Sequence, residues 1–562
     1  MKNILIIIFV LLLCSFLLNI TTACDSKDSS NSFKLSIVDP TAETNPDGAY
    51  FPGFRGGNQL IKYTPKFGQY TETNEYGSEI VVINNQVINQ TGSNSRIPKN
   101  GYVLSGHGSA KKWLNSNTII GTYICIKNNV VYADTKPESY LFRADTMIKE
   151  ARNSLKENYQ NKQAETLLTD ALNYYKQAKT SKIERDIIDY SNKSYDIAEL
   201  AYYKSIKPVN NLEHGVWVRP IEKNDDEIKQ KIQIIKEAGL NNVYLETFYH
   251  GKTIYPSEVL SDYGFANKDS IKFDLLNSWV KIAHENNIKV HVWIETFYVG
   301  PKIPAILEKH PEWANVQRSS AKSKTPVPST VEPGAYFLDP ANPDVRKFIV
   351  ELITEIAMTY DIDGVNLDYI RYPNSLPEHF PDYLNTTWGY SKYASASFEN
   401  TYGKNPLDLQ PSDTLWNDWI SFRQSQVNKT VESVYNALQK NKPEIELSAV
   451  VFPDIEKARI QKLQNWQEWV NGSYINTVTP IILGSSPELV SEYTLNLMQI
   501  CGQTTNVYIG VFGAFNNDLP VTFVKQIVAA SKAGSKGVNI FDLAHLNSDY
   551  LKAIKEGPFK KQ

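Results

Sequence analysis

The stretch Lys289-Val290-His291-Val292-Trp293-Ile294-Glu295-Thr296-Phe297 decides how this chain is read. Successive side chains of a strand point to opposite sides, so Val290, Val292 and Ile294 share one wholly aliphatic face. His291, Trp293 and Glu295 share the other. Neither face is an ordinary solvated surface. Aliphatic outside and polar-aromatic inside is the pattern of a strand wrapped by helices around a closed barrel. Three more stretches repeat it. In NVYLETFY (242–249), Val243 and Leu245 take the aliphatic parity, leaving Tyr244, Glu246 and Phe248 inward. In GVNLDYI (364–370), Asn366 and Asp368 face in, and in GVWVRP (215–220), Trp217 and Arg219 do.

Working outward, IELSAVVF (445–452), INTVTPIIL (475–483), VYIGVFG (507–513) and GVNIFDL (537–543) complete eight strand-like cores. Helix-patterned segments separate most of them, among them Asp226–Ala238, Leu275–Glu285, Asp344–Thr359 and Trp416–Gln439. Eight strands alternating with helices predict a (β/α)8 TIM barrel over 208–562. Before it, short alternating runs broken by Gly, Asn and Pro predict a small all-β domain over 33–135. Apolar residues at three- and four-residue steps over 136–207, with no Gly, predict a helical hairpin or linker. The fold class is therefore α/β, with the barrel as the largest unit.

The start of the chain carries an address. Lys2, an apolar run from Ile4 to Leu18 and small residues up to Ala23 make 1–23 a secretory signal segment. Cys24 follows at once, as at a lipoprotein processing site, so acylation of Cys24 and anchoring at the cell surface are expected. Residues 24–32 are polar and small, a tether. Cys14 leaves with the signal, and Cys125 and Cys501 fall in different domains, so no disulfide framework is expected.

Composition removes several classes of partner. Lys+Arg 58 against Asp+Glu 61 leaves a net charge of −3, with no electrostatic footprint for nucleic acid. The eight histidines are scattered without ligand spacing, and no metal or cofactor is expected. No nucleophile elbow, phosphate loop or dinucleotide fingerprint accompanies the barrel. Thirty-three Tyr, 22 Phe and 10 Trp supply amphipathic rings of the kind on which sugars stack.

Chemistry in such barrels sits at the C-terminal ends of the strands. Four adjacent strands end there in Arg219, Glu246, Glu295 and Asp368, with aromatic side chains behind them. Cleavage of a glycosidic bond needs one carboxyl group kept protonated and another ionised, as nucleophile or as base. Asp368 is the candidate nucleophile or general base, Glu295 the preferred acid/base, and Glu246 its competitor. Arg219, Trp217, Tyr244, His291, Trp293, Asn366, Tyr369, Arg371 and Asp454 are the candidate substrate-binding residues. For the aromatic ones, filling the barrel is the competing role. Asp363 reads as a turn or cap residue, and Tyr255-Pro256-Ser257 as a loop over the barrel mouth.

The block GAYFLDPANPDVRKFIVELITEIAMTYDIDGVNLDYIRYP (334–373) resembles the glycosyl-hydrolase-10-like family of exported bacterial barrel proteins. So do HGVWVRP (214–220), VYLETFYHGKTIYPSE (243–258) and QNWQEWVNGSYINTVTPIIL (464–483). The resemblance implies a glycoside hydrolase acting on a polysaccharide, with bacterial cell-wall glycan a substrate class, and it puts Asp368 at a strand-4 catalytic position. A non-catalytic glycan-binding lipoprotein with the same barrel groove is the alternative. Separately, IPKNGYVLSGHG (97–108) resembles a segment of the phosphodiester glycosidase domain; a turn built on Gly106 and Gly108 accounts for it without chemistry.

Overall fold

Strand Lys289–Glu295 lies between two parallel neighbours, Asn242–Tyr249 and Gly364–Asp368, and the pairing continues until the sheet closes on itself. The computed structural model describes residues 31–40, 58–74, 76–157, 161–209, 212–484 and 486–561. The expected signal segment, Cys24 and most of the tether lie outside the described residues. The barrel strands are β1 (Glu213–Val218), β2 (Asn242–Tyr249), β3 (Lys289–Glu295), β4 (Gly364–Asp368), β5 (Glu446–Val451), β6 (Thr477–Ile482), β7 (Asn506–Val511) and β8 (Gly537–Ile540). β8 pairs with β1 and β1 with β2, so all eight strands are parallel and no edge is left on the ring.

Each helix covers the aliphatic parity of its strands. Helix Pro343–Thr359 starts at Asn342, whose side chain accepts from the Asp344 amide at 2.9 Å, with Pro343 in the first turn. Its buried Val345, Phe348, Ile349, Leu352, Ile353 and Ile356 recur at helical spacing and pack into the shell outside the strands. Inside the ring a smaller cluster of Trp217, Tyr244, Trp293 and Val450 fills the barrel.

One parity expectation is corrected. Phe248 does not face the axis: it packs in the outer shell against Phe348, with ring centroids 6.2 Å apart. The register between β2 and β3 slips between Glu246 and Phe248, and the extra residue of this bulge flips every side chain beyond it.

The N-terminal region forms a separate eight-stranded, mainly antiparallel sheet running from Ser32–Lys34 to Val130–Asp134, with one helix among its described residues, Ser109–Asn117. Cys125, in strand Tyr123–Lys127, is disulfide-bonded, which departs from the expectation of no disulfide framework. Cys501 is free and buried. The helical segment holds three helices, Pro137–Glu157, Lys162–Thr180 and Glu184–Ser205, one more than a hairpin.

The sheet domain sits on the loops that follow β6 and β7. Gly92 N donates to Asp518 Oδ1 at 2.6 Å, and Ser93 Oγ to the Leu483 carbonyl at 2.7 Å. A Cβ at Gly92 would stand 2.6 Å from Asn516, so only glycine allows this approach. Both loops lie at the C-terminal ends of parallel strands, the face at which a barrel carries its chemistry.

Candidate active site

Glu246, Glu295 and Asp368 arrive from β2, β3 and β4 at one end of the barrel, with Glu295 and Asp368 directly opposite each other in the parallel register. Arg219, just past β1, directs Nε to Glu246 at 3.3 Å; the arginine is half exposed and the glutamate only 3% so. The guanidinium also lies over the rings of Trp293 and Phe541, at 5.3 and 5.6 Å from their centroids.

Burial dominates the electrostatics. It pushes the Glu246 carboxyl up to about 7 against the opposing pull of Arg219. Burial likewise raises Glu295 to about 8; the His250 amide, donating to Oε2 at 2.9 Å, works against that, while the charges of Glu246 and Asp368 reinforce it. Asp368 is also raised by burial, but the Tyr369 amide (2.7 Å), Trp293 Nε1 (3.0 Å to Oδ2) and Arg371 all favour its ionised form. All three carboxyls are thus raised by burial, and Asp368 is the one with both a backbone amide and an indole N–H donating to it. Tyr369 and His250 both have left-handed backbone, φ 47° and 49°, an uncommon conformation that gathers at functional sites.

The other expected residues divide by depth. Trp293 and Trp217 are each 2% exposed and form the floor beneath the carboxyls, their rings 6.5 Å apart. Asn366 is fully buried one layer below Asp368, donating to Ser448 Oγ at 2.9 Å. Tyr244 and His291 lie deeper, stacked at 4.7 Å; His291 is four residues back from Glu295, about 13 Å along the strand. The structure therefore places Asn366, Tyr244 and His291 in the barrel filling, away from its mouth. Tyr369 stacks on Tyr298 at 4.7 Å. Arg371 is engaged bidentately by Glu332 at 2.7 and 3.1 Å, an ion pair that carries Glu332 below its ordinary carboxyl range despite burial. Asp454 is not brought to the carboxyl cluster: it caps helix Ile455–Gln461 and pairs with Lys457. Asp363, as expected of a turn residue, accepts from His284 Nε2 and the Val290 amide at the opposite end of the barrel. Tyr255 and Ser257 do not overhang the mouth; both donate to Glu355 on helix Pro343–Thr359.

Residue-by-residue parity missed several neighbours of the cluster. Asp542, just past β8 and 2% exposed, accepts from His545 Nδ1 at 2.6 Å and acts electrostatically on Arg219 and Glu246. Phe541 beside it stands 5.9 Å from Trp217 and 6.2 Å from Trp293. The stretch GVNIFDL held a usable signal, because Phe541 continues the inward parity of Asn539. Glu332 and Phe515 come from long loops and had none. Among the described residues, no group of three or more His, Cys, Asp or Glu stands where it could hold a metal ion.

The profile of the family described as "Glycosyl hydrolase-like 10" matches residues 209–526, the barrel from its first strand to the helix before the last. An "S-layer-related protein" of Niallia circulans is 23% identical over 321 residues, 49% of this chain and 19% of that protein. "Glycosyl hydrolase YngK" of Bacillus subtilis (strain 168) is 23% identical over 237 residues, 41% of each chain. The match thus spans less than half of either relative. Among solved structures, the glycoside hydrolase domain of PgaB from Bordetella bronchiseptica superposes with TM-score 0.45 at 12% identity, covering 62% of this chain and 100% of that one.

Proposed function

The chain belongs to the Glycosyl hydrolase-like 10 family, and on that premise we propose that it is an exported glycoside hydrolase cleaving a polysaccharide, with bacterial cell-wall glycan its substrate class. The observation that carries the reading is the convergence of three carboxyl groups from adjacent strands at one end of the barrel, with Glu295 directly opposite Asp368. Glu295 and Glu246 are held up to about 8 and about 7, beside an Asp368 furnished with donors for its anion.

Glu295 is the general acid that protonates the leaving glycosidic oxygen at neutral pH. Asp368, steadied by Trp293 Nε1 and the Tyr369 amide, is the nucleophile or the base that activates water. Arg219 keeps Glu246 in place and supplies positive charge at the rim. Tyr298 and Tyr369 offer a sugar-facing aromatic wall, and the near-neutral chain suits an uncharged or amino-sugar polymer better than a polyanion. Export rests on the signal-like 1–23. Anchoring through Cys24 is part of the same proposal.

The test is incubation of the mature protein with a panel of polysaccharides, including peptidoglycan strands with and without peptides, reading new reducing ends. Asp368→Asn should keep the fold, seen as an unchanged circular dichroism spectrum, and lower turnover by about a thousandfold or more. Binding of the same glycans by the unaltered protein without any new reducing ends would instead mark a glycan-binding protein.

A further inference from the structure

The sheet domain does more at the barrel mouth than rest on it. Tyr76, on a turn of that domain, is 59% exposed, yet its ring meets Phe515 of the β7 loop edge-on at 6.2 Å. Phe515 in turn packs 5.4 Å from Phe541, the ring beside Trp217 and Trp293 under the carboxyls. A continuous aromatic path therefore runs from the carboxyl cluster, across the β7 loop, to a ring supplied by a different domain.

The turn that presents Tyr76 is built. Its amide donates to Asn74 Oδ1 at 3.1 Å, and the same oxygen meets His107 Nε2 at 2.8 Å. Lys111 Nζ donates to the Tyr76 carbonyl at 2.9 Å. A Cβ at Gly77 would overlap Thr73 and press on the His107 ring, so the turn and the histidine are packed tightly together. His107 itself is 3% exposed. The segment IPKNGYVLSGHG thus has a mechanical role: its histidine fixes the turn. The domain as a whole is fixed by Gly92, Ser93 and Tyr70, the last donating to Glu492 at 3.4 Å.

We propose that the N-terminal sheet domain completes the glycan-binding cleft, with Tyr76 as an outlying sugar platform for a long polysaccharide chain whose scissile bond lies over the carboxyl cluster. This rests on the glycan reading given above. A Tyr ring suits the place, because an amphipathic face tolerates water between visits and stacks on the apolar face of a sugar. The platform serves long chains and not short ones, since a disaccharide held at the carboxyls does not reach the neighbouring domain.

Calorimetric titration of the full-length chain, with Asp368→Asn present to stop turnover, tests this with peptide-free peptidoglycan strands and their disaccharide unit as probes. Tyr76→Ala should weaken long-strand binding about three- to tenfold, leave the disaccharide unchanged, and be rescued by Tyr76→Phe. Equal long-strand affinity with and without Tyr76, or equal weakening for both lengths, would overturn the platform while the glycan reading stands. No binding of either probe to the parent protein would overturn both.

Discussion

Glu295 shows how much of the site's behaviour is set by where one carboxyl is put. It is 2% exposed and held up to about 8, chiefly by burial. As the acid of the reaction, it predicts a kcat/KM profile that falls as pH rises through about 8. Glu295→Gln should remove the alkaline limb along with most activity, whereas Glu246→Gln should keep that limb. The reverse pattern would hand the acid role to Glu246. The same group has a stability signature. A carboxyl with a raised folded pKa favours the fold only below its unfolded value, near 4.5, and that contribution is lost as pH rises to about 8. Glu295→Gln should therefore gain stability over the parent as pH increases, on the order of 3 kcal/mol by pH 7. Urea denaturation at pH 5 and pH 7 reads the difference; a pH-independent offset would contradict it.

At the scale of single elements, alternation was legible wherever the strand was regular. β1, β3 and β4 carry Trp217, Trp293, Glu295, Asn366 and Asp368 on the inward parity expected of them, because strand periodicity is a local property. β2 obeyed it only as far as Glu246. A one-residue bulge leaves no mark in an apolar alternation, so Phe248 could be placed only by the pairing with β3. Close approach is equally invisible from one strand. Gly215 on β1 faces Asn539 of β8 and Tyr244 of β2, and a Cβ there would overlap Asn539 Oδ1 and stand 2.7 Å from the Tyr244 ring. Gly215→Ala should cost about 1–3 kcal/mol in chemical denaturation, through overpacking of the barrel floor. A variant as stable as the parent would show that the floor can give.

For the molecule as a whole, the order of units along the chain says little about how they meet. The sheet domain precedes the barrel by a three-helix segment, yet it reaches the mouth through Gly92, Ser93 and Tyr70. The proposed lipid at Cys24 bears on location. Cell fractionation should find the parent with the membrane and Cys24→Ser released from it, and a parent protein already free of the membrane would remove the anchor from the proposal. By itself the sequence determined the (β/α)8 plan and the inward-facing carboxylates of three neighbouring strands. Both are written in repeats of two and of three to four residues, which the chain shows without folding. Only the tertiary structure decided which of the inward residues reach the mouth and which fill the floor, that Arg371 answers to Glu332, that Asp542 joins Arg219, and that Tyr76 stands beside Phe515. Those are meetings between residues tens to hundreds of positions apart, set by strand register, loop paths and domain docking, and no local pattern in the chain encodes them.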